Sequence, residues 1–309
     1  MTLEDVELDA PPPGFVRLKH TAIGVNYIDT YHRSGLYPVP VPGGLGVEAA
    51  GIVDGLGDGV TGFNEGDRVA YAGGPLCGYA THANVPAMTL VKLPDGVSEE
   101  IAAAGLLKAL TAQYLLRQTY RVKEGDTILA HAAAGGVGLI LCQWAKHLGA
   151  TVIGTVGTED KAALARANGC DHPLLYDEID WVAEVRSLTD GKGVPVVYDS
   201  VGATTTMKSL DCLAPFGILA SFGNASGSPP PIELGDLAAK GSLFVTRPTL
   251  FTFTSDRARL EAMAEEVFDL IGREIVKIDL RQRYKLEDVV QLHKDMEARK
   301  LTGSTIMTV

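Results

Sequence analysis

The chain has 309 residues, 46% hydrophobic and 21% charged, a globular composition with enough length for two domains. Its net charge of −11 and pI near 5.1 argue against nucleic acid or an anionic membrane surface as partner, because phosphate binding needs a basic footprint. No apolar run approaches the roughly 20 residues that span a bilayer, the start "MTLEDVELDAPPPG" lacks the apolar core of a signal peptide, and the four cysteines form no CxxC pair, which fits reduced thiols and a cytoplasmic protein.

Residues 15–93 are dense in Gly, Pro and Val. "FVRLKHTAIGV" puts Val16, Leu18 and His20 on one face and Phe15, Arg17 and Lys19 on the other, the period of a half-buried strand. "GVEAAGIVDGLGDGV" and "EGDRVAYAG" continue with closely spaced Gly-Asp turns, so a small irregular β barrel is expected here. The texture then changes. In "DGVSEEIAAAGLLKALTAQYLLRQTY" Ser98 is a good N-cap, Glu99 and Glu100 lie in the first turn, and a helical apolar stripe follows. Next come strand "TILAHAA", helix "GVGLILCQWAKHLG" closed by Gly149, strand "TVIGTV", helix "EDKAALARANG", strand "HPLLY" and helix "DWVAEVRSLTDG". Strand "VPVVYDSV", helix "TTTMKSLDCLAP" and strands "GILASFG" and "SLFVTRP" complete the series. Apolar strands alternating with helices predict a doubly wound parallel sheet, covered on both faces. A long amphipathic helix, "SDRARLEAMAEEVFDLIGRE", opens the last part, and the mixed tail after it is expected to return to the first domain.

The turn "HAAAGGVG" lies between a strand and a helix, where a dinucleotide-binding G-x-G-x-x-G belongs. In that pattern the three key positions are Ala133, Gly135 and Gly138, with Gly136 and Val137 between the last two. Gly135 would let the backbone approach a pyrophosphate, Gly138 would let the helix pack close to the strand, and the helix N-terminus would supply N–H groups and partial positive charge. Alanine at the first position permits the turn if its φ stays negative. The second strand ends in Gly157 and Thr158 without the carboxylate that holds an NAD ribose; Lys161 follows, and Tyr176 ends the third strand. NADPH is therefore favoured over NADH, although Glu159 and Asp160 stand in the same helical turn. Ser200, Phe222, Gly223 and Asn224 lie at the C-terminal ends of later strands, and Thr246 and Arg247 end the last one, the edge at which open α/β sheets hold ligands.

Together with "GVNYIDTYHRSGLYP", "GLGVEAAG", "GDRVAYA", "LLKALTAQYLL", "VVYDSVG" and "SFGNASG", these motifs resemble the zinc-free quinone oxidoreductases, the zeta-crystallin-like branch of the medium-chain dehydrogenase/reductase superfamily. The resemblance runs from about residue 16 to the C-terminus. It implies an α/β fold in which a GroES-like β-barrel catalytic domain (residues 1–107) precedes a Rossmann domain binding NADPH (108–250), and a C-terminal segment (251–309) rejoins the first domain. Members of the family carry a further strand before the counterpart of "EDVELD", so that edge of the barrel is expected to differ.

The resemblance also implies the chemistry. The ligand positions of the zinc-dependent relatives fall on Asn26, Val47 and Lys108, none of which offers the thiolate or imidazole that a catalytic zinc takes. No metal is expected, and with no Lewis acid to stabilise an alkoxide the acceptor should be one that needs little activation, a quinone. Asn26 would hydrogen-bond the cofactor and, with Tyr31, serve catalysis, the tyrosine presenting its hydroxyl to a quinone oxygen; Tyr114 would be a cofactor neighbour. Asp29 is expected to be a structural acceptor. Members pair into homodimers near the edge strand "SLFVTRP". Two other readings stand beside this one: an NADPH-dependent 2-alkenal or enone reductase, and a non-enzymatic, crystallin-like NADPH-binding protein. An enone reductase must protonate a carbon, so Tyr31→Phe should spare quinone turnover and depress enone turnover.

Overall fold

The structure is a computed structural model that describes residues 1–298 and 300–309. In chain order its elements are β1 (Phe15–Gly24), α1 (Ile28–Ser34), β2 (Glu48–Leu56), β3 (Arg68–Ala72), β4 (His82–Pro86), β5 (Val91–Lys92) and α2 (Glu99–Tyr114). There follow β6 (Thr127–Ala130), α3 (Gly136–His147), β7 (Thr151–Val156), α4 (Glu159–Ala167), β8 (His172–Leu175), α5 (Trp181–Leu188), β9 (Val194–Asp199), α6 (Thr206–Cys212), β10 (Leu213–Ser221), α7 (Leu234–Ala239) and β11 (Phe244–Thr246). The last elements are α8 (Leu250–Thr254), α9 (Arg257–Gly272), β12 (Leu280–Lys285), α10 (Val289–Glu297) and β13 (Ser304–Thr308). Two compact units result: Met1–Leu110 with Phe253–Glu274 and Ile278–Val309, and Thr111–Thr252 with Ile275–Lys277.

In the first unit the strands run β12-β13-β1-β2-β3-β5, with β4 also on β1. Strand β1 pairs with β2 along its length, while β4 takes residues 15–19 and β13 residues 22–24. Its alternation is the expected one: Val16, Leu18 and His20 are buried, and the core beneath them includes Val53, Val69, Tyr71, Leu90, Leu292 and Met307. The C-terminal tail thus completes the sheet that the N-terminal strands begin. This is the GroES-like architecture.

In the second unit six strands run β11-β10-β9-β6-β7-β8, all parallel, the doubly wound order. Strand order reverses between β6 and β9, so the turns that leave those two strands flank the crevice where such sheets bind ligands. One expected helix ends early. Residues 213–215 were expected to continue α6, but Pro215 pushes Ala214 toward the extended region, and Leu213 instead starts β10 beside Val194. Among the described residues no helix is long and apolar enough to cross a membrane.

Candidate active site

The turn after β6 answers the question its alanines raise. Ala132, one residue before the first position of the pattern, takes the left-handed conformation (φ 53°), and Ala133 is fully buried with its N–H on Thr155 O at 3.0 Å. Room for the Ala133 methyl comes from Gly154 on β7, where an added Cβ would lie 2.6 Å from Ala133 Cβ and from Cys170 Sγ. A left-handed alanine costs about 1–2 kcal/mol. Ala132→Gly is therefore expected to raise the stability of this unit by about 0.5–1 kcal/mol, read as a higher Tm; a lower Tm would contradict it.

Helix α3 then starts with Gly135 at the N-cap, and no side chain caps it. Leu139 N–H is the first to bond back, to Gly135 O, which leaves the N–H groups of Gly136, Val137 and Gly138 for an anion. The glycines have different tasks. A Cβ on Gly138 would overlap Ala132 O and lie 2.8 Å from both Ala133 C and Cα, all backbone; one on Gly135 would meet only Ala132 O, at 3.1 Å.

At the next strand end, a Cβ on Gly157 would lie 3.2 Å from the Tyr176 hydroxyl, and Thr158 caps α4 by accepting from Lys161 N at 3.3 Å. Gly157, Thr158, Lys161 and Tyr176 are thus brought together. A second group gathers around Arg247, whose guanidinium donates to Ser221 O (3.0 Å), Ser221 Oγ (3.2 Å) and Gly223 O (3.0 Å). Tyr114 is buried close enough to feel that charge, which opposes the rise that burial gives its hydroxyl pKa. Gly223 packs on the Ser200 backbone, Phe222 N bonds Asp199 O, Asn224 is buried beside them, and Thr246 pairs with Ala220. Sequence reasoning passed over the anchor of this group. Fully buried Asp199 accepts from Val201 N, Gly202 N, Thr205 Oγ1 and Thr206 Oγ1, and so holds the turn that carries Ser200.

The first unit places Asn26 just before α1 and Tyr31 within it. Tyr31 is buried between Tyr27 and Tyr37, at ring-centroid distances of 5.6 and 5.2 Å in edge-to-face geometry. Asn26 Nδ2 donates to Glu48 Oε2 at 2.7 Å. A carboxylate only accepts, so the amide nitrogen faces Glu48 and Oδ1 turns away from it. Glu48 is fully buried; Leu107 N donates to its Oε1 at 2.6 Å, and Lys108 Nζ lies 3.7 Å from Oε2 and donates to Val25 O at 3.2 Å. Burial pushes the Glu48 carboxyl pKa up, and the Lys108 ammonium and the N–H donors oppose it. Asn26 and Lys108 thus stand bonded through Glu48, the neighbour of Val47. Among the described residues no group of three or more His, Cys, Asp or Glu is arranged to hold a metal ion.

A longer network, not legible in the sequence, joins the same turn. Asp29 is fully buried; its Oδ2 accepts from Asn26 N (2.9 Å) and from the Tyr79 hydroxyl (2.9 Å). Tyr79 OH lies 3.1 Å from His293 Nε2, His293 Nδ1 lies 3.2 Å from Arg33 Nη1, and Arg33 Nη2 donates to Glu297 at 2.5 Å.

Two family models match the chain, the alcohol dehydrogenase GroES-like domain over residues 12–95 and the zinc-binding dehydrogenase domain over 136–269. The chain is 52% identical to the quinone oxidoreductase of Pseudomonas aeruginosa over 98% of this chain and 94% of that one. It is 46% identical to the 2-haloacrylate reductase of a Burkholderia species over 98% and 93% of the two chains. The crystal structure of Escherichia coli quinone oxidoreductase complexed with NADPH superposes with a TM-score of 0.97 at 46% identity, covering 99% of this chain and 95% of that one. With both domains matched and relatives of this identity aligned over more than nine tenths of both chains, the chain belongs to the quinone oxidoreductase family of the medium-chain dehydrogenase/reductase superfamily.

Proposed function

We propose that the chain reduces quinones with NADPH and uses no metal to do so. The observation that carries this reading is the Asn26–Glu48–Lys108 cluster, an amide, a carboxylate and an ammonium already bonded together, at positions onto which the family resemblance maps the ligands of zinc-dependent relatives. An ammonium beside Glu48 repels a divalent ion, and neither Asn26 nor Lys108 is a zinc ligand type. Alcohol oxidation needs such an ion for its developing alkoxide, whereas quinone reduction ends in oxygens stabilised by aromatisation.

NADPH, as in the E. coli relative's complex, supplies the hydride. The N–H groups of Gly136, Val137 and Gly138 take its pyrophosphate, with Gly135 leaving the approach open, and Gly157, Thr158, Lys161 and Tyr176 surround the ribose phosphate. The Tyr114, Ser200, Phe222, Gly223, Asn224, Thr246 and Arg247 group lines the remainder of the cofactor site. Asn26 Oδ1 accepts from the cofactor, and Tyr31 orients the acceptor through its hydroxyl. Losing a charge-assisted hydrogen bond costs about 1.5–3 kcal/mol, so Lys161→Ala should raise the KM for NADPH by about tenfold or more and leave that for NADH nearly unchanged. An equal effect on both cofactors would remove Lys161 from the 2′-phosphate site. The exposed Phe244 and Val245 on edge strand β11 support a homodimer, and four unpaired cysteines support a reducing, cytoplasmic setting.

The 2-haloacrylate reductase relative favours one alternative acceptor, an activated carbon–carbon double bond. NADPH oxidation with a 1,4-quinone tests the main reading; turnover confined to a 2-alkenal assigns the chain to the alternative.

A further inference from the structure

Ala132 is held in a left-handed conformation at the base of the turn offered to the pyrophosphate. A residue other than glycine keeps such a conformation only where its surroundings over-determine it. Thr155, on the neighbouring strand β7, supplies that restraint twice. Its carbonyl accepts from Ala133 N at 3.0 Å, and its Oγ1 lies 2.8 Å from His131 Nδ1. The residues on both sides of Ala132 are thus fastened to one threonine, and the Ala132 carbonyl accepts from Gly135 N at 2.8 Å.

The other side of the His131 ring leads away from this turn. Its Nε2 lies 2.9 Å from Ser209 Oγ, and that hydroxyl donates to Thr205 O, also at 2.9 Å. Thr205 Oγ1 in turn donates to the carboxylate of Asp199, the anchor of the turn that carries Ser200. A carbonyl cannot donate, so the Ser209 proton is committed to Thr205 and His131 Nε2 is the donor to Ser209. Burial holds the His131 pKa below its ordinary value, with the Asp199 charge opposing it, in keeping with a neutral ring. Nδ1 therefore accepts from the Thr155 hydroxyl. Trp181 packs edge to face on the imidazole, with 5.0 Å between ring centroids, and His131, Thr155, Thr205, Ser209 and Asp199 are all buried. A hydrogen bond lost in such surroundings is not replaced by one to water.

We propose that His131 is a positioning residue for the cofactor, which fixes the pyrophosphate turn through Thr155 and ties it through Ser209 to the turn that carries Ser200. The proposal rests on the reading above, in which the N–H groups of Gly136, Val137 and Gly138 take the pyrophosphate. That group is common to NADPH and NADH, so the contribution of His131 is blind to the 2′-phosphate, unlike that of Lys161.

Thr155→Val keeps the shape of the side chain and the carbonyl for Ala133 but removes the hydroxyl. Ser209→Ala removes the acceptor on the other side of the ring. Each should raise the equilibrium Kd for NADPH and for NADH together by about three- to tenfold, the worth of one hydrogen bond. Thr155→Ser, which keeps the hydroxyl, should bind both cofactors as the wild type does. The double variant T155V/S209A should lose less than the product of the two single losses, because both act through one ring. Nitrogen-15 NMR of the cofactor-free protein should show His131 neutral, with its proton on Nε2. T155V with wild-type affinity, a loss confined to NADPH, T155S as weak as T155V, multiplicative losses in the double variant, or a proton on Nδ1 each overturns the proposal. Gly135→Ala separates that failure from failure of the reading beneath it. Weakened NADPH binding in G135A keeps the pyrophosphate at this turn, whereas wild-type binding in G135A, T155V and S209A alike removes it and overturns both.

Discussion

Replacing Lys108 with methionine is expected to destabilise the first unit by about 3–5 kcal/mol, the usual cost of stripping one partner from a buried ion pair. The geometry explains the size. Glu48 has no exposed side-chain surface and Lys108 has 7%, so solvent cannot take over the role of the ammonium. Asn26 Nδ2 and Leu107 N remain as donors but bring no full charge. At about 2–4 °C per kcal/mol for a domain of this size, the Tm of that unit should fall by about 10 °C.

A pH dependence accompanies it. Without Lys108 the Glu48 pKa, which burial already raises, rises further above its unfolded value. A raised folded-state pKa contributes stability that is complete below the unfolded pKa, about 4.3, and is lost as pH climbs through the folded value. The variant should therefore be relatively more stable at pH 5 than at pH 8, measured by calorimetry against the wild type. Adding Glu48→Gln should recover most of the loss, since removing a buried pair whole costs far less than breaking it. A K108M protein that melts within 2 °C of the wild type at pH 8 would show that the pair does not hold this turn.

Gly138→Ala is the second large effect, and its contrast with Gly135→Ala carries the test. The Gly138 Cβ would press on three backbone atoms of residues 132 and 133, so no rotamer change relieves it. The turn it would displace is stitched to both neighbouring strands, through Ala133 N to Thr155 O and His131 N to Tyr198 O. Overpacking of this kind costs about 1–3 kcal/mol, and a shift of about 1 Å in a binding turn is enough to cost about 100-fold in activity. G138A should lower both the Tm of the second unit and its affinity for NADPH. Gly135 meets a single carbonyl at 3.1 Å, so G135A should melt near the wild type, and on the proposed placement of the pyrophosphate at this turn it should weaken NADPH alone, because the added methyl would stand in the anion's approach. Equal Tm losses in the two variants would contradict this division of roles.

The elements that repeat a local rule were legible from the residues. The β1 alternation, the Ser98 cap of α2, where Ile101 N bonds Ser98 Oγ, and the apolar strands of the doubly wound sheet each depend on neighbours a few positions apart. The glycine turn was legible in place but not in detail, since the left-handed residue is Ala132 and the Ala133 methyl depends on Gly154 of the next strand. What sequence reading missed is long-range. Tyr79 meets a histidine 214 positions away, and that histidine meets an arginine 260 positions away. No spacing rule links such residues; only the return of α10 and β13 to the N-terminal strands brings them together. Asp29 was expected to be a structural acceptor, and its Oδ2 is one. Its second oxygen gave no signal in the sequence, because only three-dimensional burial leaves it without a partner.

The most direct test of metal-free, NADPH-dependent quinone reduction is steady-state cofactor oxidation by chelator-treated protein, with NADPH and NADH compared on a 1,4-quinone and on a 2-alkenal. The account predicts quinone turnover that survives chelation and a preference for NADPH that Lys161→Ala removes. Activity that chelation abolishes and zinc restores, or turnover with NADH alone, would contradict it.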